Sequence, residues 1–211
     1  MTFMKSLLLL ITLFYILPLK AQTVTNHVIK ASGIYKQINV GNDVKVIRSL
    51  PGNRKLIDLV KRNPNIYTPP VLYSLSDALF KLNRRSEAAY WFYIAQLRAR
   101  YDFNRCADKT ANAAVYNQTY GPQINQYAFK NLDSLSIIVN KVVDFVSKNN
   151  EAYDQRWINL ESPNVAVVYY GGTQPKELSL PKKQCASIKR ETVKAYLNGF
   201  NEELRRQKQS K

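Results

Sequence analysis

From Pro51 onward the apolar residues of this chain recur at helical spacing; before it they do not. "NRKLIDLVKRN" (53–63) has Leu56, Ile57, Leu59 and Val60 at helical spacing and stops before Pro64. The next stretch, "TPPVLYSLSDALFKLNRRSEAAYWFYIAQLRARYD", predicts two helices joined by a tight turn. Thr68 is positioned to cap the first, with Pro69 and Pro70 in its opening turn, where a missing amide hydrogen costs little. Leu72, Leu75, Leu79 and Leu82 form its apolar stripe. "NRRS" breaks the run, and the Ser86 hydroxyl is expected to accept from the free amides that start the second helix.

After Cys106 the pattern is mixed, and Gly121-Pro122 predicts a strong break. A clearer helix runs from about Leu132 to Ser147, with Leu135, Ile138, Val139, Val142, Val143 and Val146 inward. Residues 151–158 predict a further helical turn or two, and 162–181 a buried apolar stretch followed by a Gly-Gly loop. From Lys182 an amphipathic helix turns Ile188, Val193, Tyr196, Leu197 and Phe200 inward, with Gly199 as a candidate kink. Residues 22–50, rich in Val, Ile and Thr with Gly33 and Gly41 as punctuation, predict short strands or an extended arm packed on the body. The expected class is mainly α. It is an irregular bundle over 51–211 built around the helical hairpin, with a short extended or β N-terminal segment over 22–50.

The densest signal is "EAAYWFYIAQLRARYDFNRC" (87–106). At about 100° per residue, Tyr90, Tyr93, Ile94, Leu97 and Tyr101 share one arc. Ala88, Trp91, Phe92, Ala95 and Ala99 share the opposite one. A helix apolar on both sides is satisfied in the middle of a bundle rather than as an aromatic platform facing solvent. Arg98 and Arg100 lie among these residues, so each needs a carboxylate, a carbonyl or a ligand. Either one facing an open cavity without a protein partner would make the stretch a site.

The hairpin resembles a single tetratricopeptide-type repeat, with Ser76, Leu79, Ala88, Phe92 and Ala95 at its small and aromatic positions. It lacks the usual proline near the end, at Arg100, and no second copy follows. The resemblance implies helix-pair packing, and peptide binding as in that family. The strings "AYWFYIAQLRARY" and "GPQINQYAFKNLDSL" are similar to segments of uncharacterised exported bacterial helical proteins.

Charge and cysteines place the chain in a compartment. Lys5, the apolar run of 6–19 and Ala21 read as a signal peptide over 1–21, since the run falls short of the roughly 20 residues a membrane span needs. Cleavage would remove two of the 31 basic residues and none of the 15 acidic ones. The expected product is a strongly basic, exported protein, periplasmic or extracellular, with no transmembrane segment. Cys106 and Cys185 are the only two cysteines. In an oxidising compartment an even pair predicts one disulfide, worth roughly 4.5 kcal/mol in the chain-entropy account; two buried free thiols are the alternative.

The chemistry these residues permit is narrow. The only histidine is His27, so a Ser-His-Asp or Cys-His nucleophile would depend on it alone. No metal-ligand spacing, phosphate loop or cofactor pattern is present, so no metal and no cofactor are expected. Glu87, Asp102, Asp108, Glu151 and Asp154 leave open paired-carboxylate chemistry of the glycosidase kind. The final helix carries the strongest charge, with Lys189, Arg190, Lys194, Arg205 and Arg206 as binding candidates beside Arg98 and Arg100. An exported compartment disfavours nucleic acid and points to an acidic protein or anionic envelope surface. The leading expectation is therefore a non-enzymatic binding protein, an immunity-type toxin neutraliser being one form of it. The alternatives are a glycan-acting enzyme and a structural envelope protein. Nothing in the sequence specifies an oligomeric state.

Overall fold

A computed structural model describes residues 30–209. The proposed signal peptide, the first residues of the arm and His27 lie outside them. Eight α-helices follow one another: α1 (Asp43–Ser49), α2 (Arg54–Arg62), α3 (Pro69–Lys81), α4 (Arg85–Arg105), α5 (Ala114–Ala128), α6 (Leu132–Lys148), α7 (Asn164–Tyr169) and α8 (Lys182–Gln209). Three 3-10 segments, Gly33–Gln37, Pro64–Ile66 and Gln155–Glu161, join them. Among the described residues the only strand-like pairing is one antiparallel bridge, Cys106 to Ser179.

The predicted pair of helices is present, and its turn has an identifiable chemistry. At the end of α3, Asn83 takes φ 61°. The Asn83 amide donates to the Phe80 carbonyl and the Arg84 amide to that of Leu79, each at 3.0 Å. This left-handed cap uses asparagine where glycine is commoner, and it reverses the chain directly into α4. Glycines close α7 in the same way. Gly171 has φ 88°, and the Gly172 amide donates to the Val167 carbonyl at 2.8 Å. A Cβ on Gly172 would lie 2.9 Å from that same oxygen.

α4 is the centre of the bundle. Its four consecutive aromatics reach four different helices. Phe92 meets Tyr73 of α3 with ring centroids 5.5 Å apart. Tyr90 and Trp91 lie edge-on to Phe145 of α6, and Tyr93 meets Phe200 of α8 at 5.2 Å. Phe92 also lies against Gly121 of α5.

Several expectations change. The described part of the N-terminal segment is short helices rather than strands or an extended arm, and it packs on α3 through α1. Gly121-Pro122 does not break the chain but lies inside α5. A Cβ at buried Gly121 would sit 3.1 Å from Phe92, so the close approach of α5 to α4 holds the helix through the proline. Ser86 lies within α4 and caps nothing. The Thr68 hydroxyl caps no amide either, and donates instead to the Asp43 carboxylate. α7 buries only Val165, while Val167, Tyr169 and Tyr170 are exposed. α8 is continuous through Gly199.

The disulfide is replaced by two free thiols. Cys106 is buried and its sulfur lies 3.1 Å from Asn159 Oδ1. The Cys185 sulfur lies 3.9 Å from the Pro181 carbonyl. Backbone pairing secures the end of α4 in place of a covalent bond. The Ala107 amide donates to the Leu178 carbonyl at 3.3 Å and the Leu180 amide to that of Arg105 at 2.8 Å.

Candidate functional site

α8 reaches the bundle through its less polar side, and that docking decides where its cations go. Tyr196 is buried and donates from its hydroxyl to Gln96 Oε1 at 2.8 Å, and Asn104 Nδ2 donates to Thr192 Oγ1 at 2.7 Å. Lys189 reaches back to the Asn149 carbonyl (2.8 Å) and to Glu151 (3.0 Å). Beside this contact, α8, the end of α4 and the chain after α6 enclose a groove of about 760 Å³. Tyr101, Ala186, Val193 and Leu197 give it an apolar floor, while Lys182, Arg190 and Lys194 line it with charge. None of those three cations forms an ion pair among the described residues. Arg190 and Lys194 are exposed, and the half-buried Cys185 also lines the groove.

The seven cations singled out in the sequence thus separate. Arg190 and Lys194 face the groove. Lys189 rims it but is a tether of α8, its side chain only 14% exposed. Arg205 and Arg206 lie at the far end of α8. There Arg205 Nε donates to the Asn201 carbonyl (3.3 Å) and Arg206 pairs with Glu203 (2.5 Å). Arg98 is fully buried and joins three segments. Nη1 donates to the Pro64 carbonyl at 2.8 Å, Nη2 to Asn65 Oδ1, and Nε lies 3.9 Å from Glu151. The Phe145 ring lies under its guanidinium at 5.2 Å. Arg100 is exposed, packs over the Tyr196 ring at 5.7 Å and lines two further clefts, of about 360 and 300 Å³.

The five carboxylates noted in the sequence are each engaged. Glu87 holds Lys61 and Arg84, both at 2.5 Å. Burial alone would raise its pKa, but these two cations outweigh it and hold the carboxyl low. Asp108 accepts from Thr110, Ser162 and Asn164, bonds that likewise outweigh its burial. Asp102 is fully buried and accepts from Trp157 Nε1 (2.7 Å) and the Tyr153 hydroxyl (2.9 Å). Burial pushes it up to about 7 against the pull of those two bonds.

Asp154 lines a cleft of about 620 Å³ together with Tyr67, Tyr153 and Asp43, a residue that sequence reading passed over. Asp43 sits in no recognisable pattern, and only the fold brings it into the same cleft as Asp154. Burial raises the Asp43 carboxyl, with the Thr68 bonds pulling the other way. At Asp154 burial is outweighed by Arg156 and the Asn39 amide, and its carboxyl is lowered. No cluster of three or more His, Cys, Asp or Glu that could hold a metal occurs among the described residues. No described helix is long and apolar enough to cross a membrane.

Compared with known proteins, the chain matches no family model, no curated protein and no solved structure.

Proposed function

We propose that this is an exported, non-enzymatic binding protein that holds an anionic partner, a protein or an envelope surface, in the groove along α8. The observation that carries this reading is the placement of Lys182, Arg190 and Lys194, without an ion pair among the described residues, beside the apolar floor of Tyr101, Val193 and Leu197. Exposed unpaired cations attract acidic surfaces, and an adjacent apolar floor lets a partner bury area once it has arrived. The helix pair α3–α4, the part that resembles a tetratricopeptide-type repeat, serves in this reading as the scaffold on which α8 is mounted. An immunity-type toxin neutraliser is one form such binding takes. It would recognise an acidic toxin through the same cations.

The test is co-sedimentation with phosphatidylglycerol vesicles, alongside anisotropy of a labelled polyglutamate peptide. Arg190→Glu with Lys194→Glu should weaken capture of at least one of these probes by about tenfold or more at low salt. Added salt should weaken it further. Unchanged capture of both probes by the double variant would sink the reading.

A second reading rests on the cleft that holds Asp43 and Asp154. One carboxyl raised and one lowered in the same cleft is a feature that acid–base pairs for glycan hydrolysis share. Release of sugars from peptidoglycan that is lost in both Asp43→Asn and Asp154→Asn would support it. No release from the wild-type protein would end it.

A further inference from the structure

The cleft of about 360 Å³ between α4, α5 and α8 contains two features that packing does not account for. The first is Arg100. It is exposed, lies over Tyr196 at 5.7 Å, and no ion pair holds it among the described residues. The one acid lining the cleft, Glu203, is already occupied by Arg206 at 2.5 Å and Gln207 at 2.8 Å. The second is Gly199, in the interior of the 28-residue α8. Glycine within a helix is less favourable than alanine, so its presence calls for a reason. Its φ is not in the left-handed region. A Cβ there would meet no atom within 4 Å, so no neighbour requires the small residue. What glycine preserves at this position is open space in the wall of the cleft.

The remaining wall is rigid and aromatic. Tyr196 is fixed through its bond to Gln96, which in turn donates to Asn117 Oδ1 at 3.2 Å. Tyr93 is fixed by Asn125 at 2.9 Å; both tyrosines are buried, and the rings left half-buried on the cleft are Phe200, 5.2 Å from Tyr93, and Phe129. An unpaired guanidinium presents a planar fork that matches a carboxylate in two parallel hydrogen bonds. The half-buried Phe129 and Phe200 rings on the same cleft favour a flat apolar body, and the volume falls within the range of small-molecule sites. We propose that this cleft is a binding site for a small carboxylate carried on an aromatic body, with Arg100 as its anchor and Gly199 keeping it open. The site goes beyond the α8 groove, because it uses a different cation and a different side of α8. A free aryl acid and the C-terminus of a peptide ending in phenylalanine share this chemistry.

The experiment is calorimetric titration of the full chain with 4-hydroxyphenylacetate and with acetyl-Gly-Gly-Phe, each compared with its amide. At least one acid should bind saturably, at least about tenfold more tightly than its amide. Which of the two does so identifies the source. Arg100→Gln should lose a similar factor. Gly199→Leu should abolish binding while leaving the circular dichroism spectrum helical, since leucine favours the helix and meets open space. Arg190→Glu with Lys194→Glu should leave this binding unchanged, so the cleft and the groove fail or succeed separately. The proposal is overturned if neither acid binds at millimolar concentration, if the amides bind as well as the acids, or if Arg100→Gln or Gly199→Leu binds like the wild type.

Discussion

Arg98 and Arg100 stand two positions apart on α4, carry the same charge and lie in the same aromatic stretch, yet their surroundings differ completely. The Arg98 side faces the Pro64–Asn65 turn and Glu151, and the guanidinium is fully buried among them. Glu151 in turn holds Lys189 at 3.0 Å, so one buried carboxylate ties α4, the chain after α6 and α8 together. On the Arg100 side the same helix opens onto clefts, and the guanidinium lies over the Tyr196 ring. A turn of about 200° around the helix separates a residue that holds the fold from one that stays exposed beside a cleft. Residue type does not decide between these roles; what approaches the helix from each side does.

The comparison breaks first at Glu151. Its side chain is 5% exposed and serves two cations. Glu151→Gln should lower unfolding free energy by about 3–5 kcal/mol, because it strands buried positive charge. Urea unfolding measures this, and a loss below about 1 kcal/mol would mean the network is solvated.

Asp102 sharpens the buried side through pH. Its folded pKa is raised from 3.8 to about 7, with burial as the main cause. The folded state therefore holds a proton that the unfolded state releases first. The stabilisation is fully present below the unfolded pKa and is lost as pH rises through about 7, an effect on the order of 4 kcal/mol across the window. Asp102→Asn should remove this slope. Equal slopes for the two proteins between pH 4 and 7 would contradict the burial assigned here.

Gly121→Ala probes the opposite wall, where a new Cβ would press on Phe92 at 3.1 Å. Forcing that ring off its position should cost about 1–3 kcal/mol. Calorimetric melting that showed no loss would mean α5 yields instead. Smaller still is the effect of a reducing agent. With Cys106 and Cys185 unbonded, melting should be the same with and without dithiothreitol.

The architecture was legible where periodicity is strong. α3, α4, α6 and α8 each repeat apolar residues over several turns, and the Pro69-Pro70 opening and the break at Asn83 fall where the sequence places them. Residues 33–49 misled because their Val and Ile content favours strands, whereas packing on α3 makes them helical. Gly121-Pro122 misled for a related reason, since a tertiary contact with Phe92 outweighs local helix breaking. The cysteine pair suggested a bridge because spacing carries no information on geometry. The need of Arg98 and Arg100 for partners was legible, but which of them finds one was not. That depends on a turn more than thirty residues earlier, at Pro64–Asn65, coming back to the helix.

Equilibrium urea unfolding of Arg98→Gln and Arg100→Gln, measured side by side at neutral pH, tests the division of α4 most directly. Arg98→Gln should lose about 3–5 kcal/mol, and Arg100→Gln should stay within about 0.5 kcal/mol of the wild type. Equal losses in the two variants, or a larger one at Arg100, would contradict it.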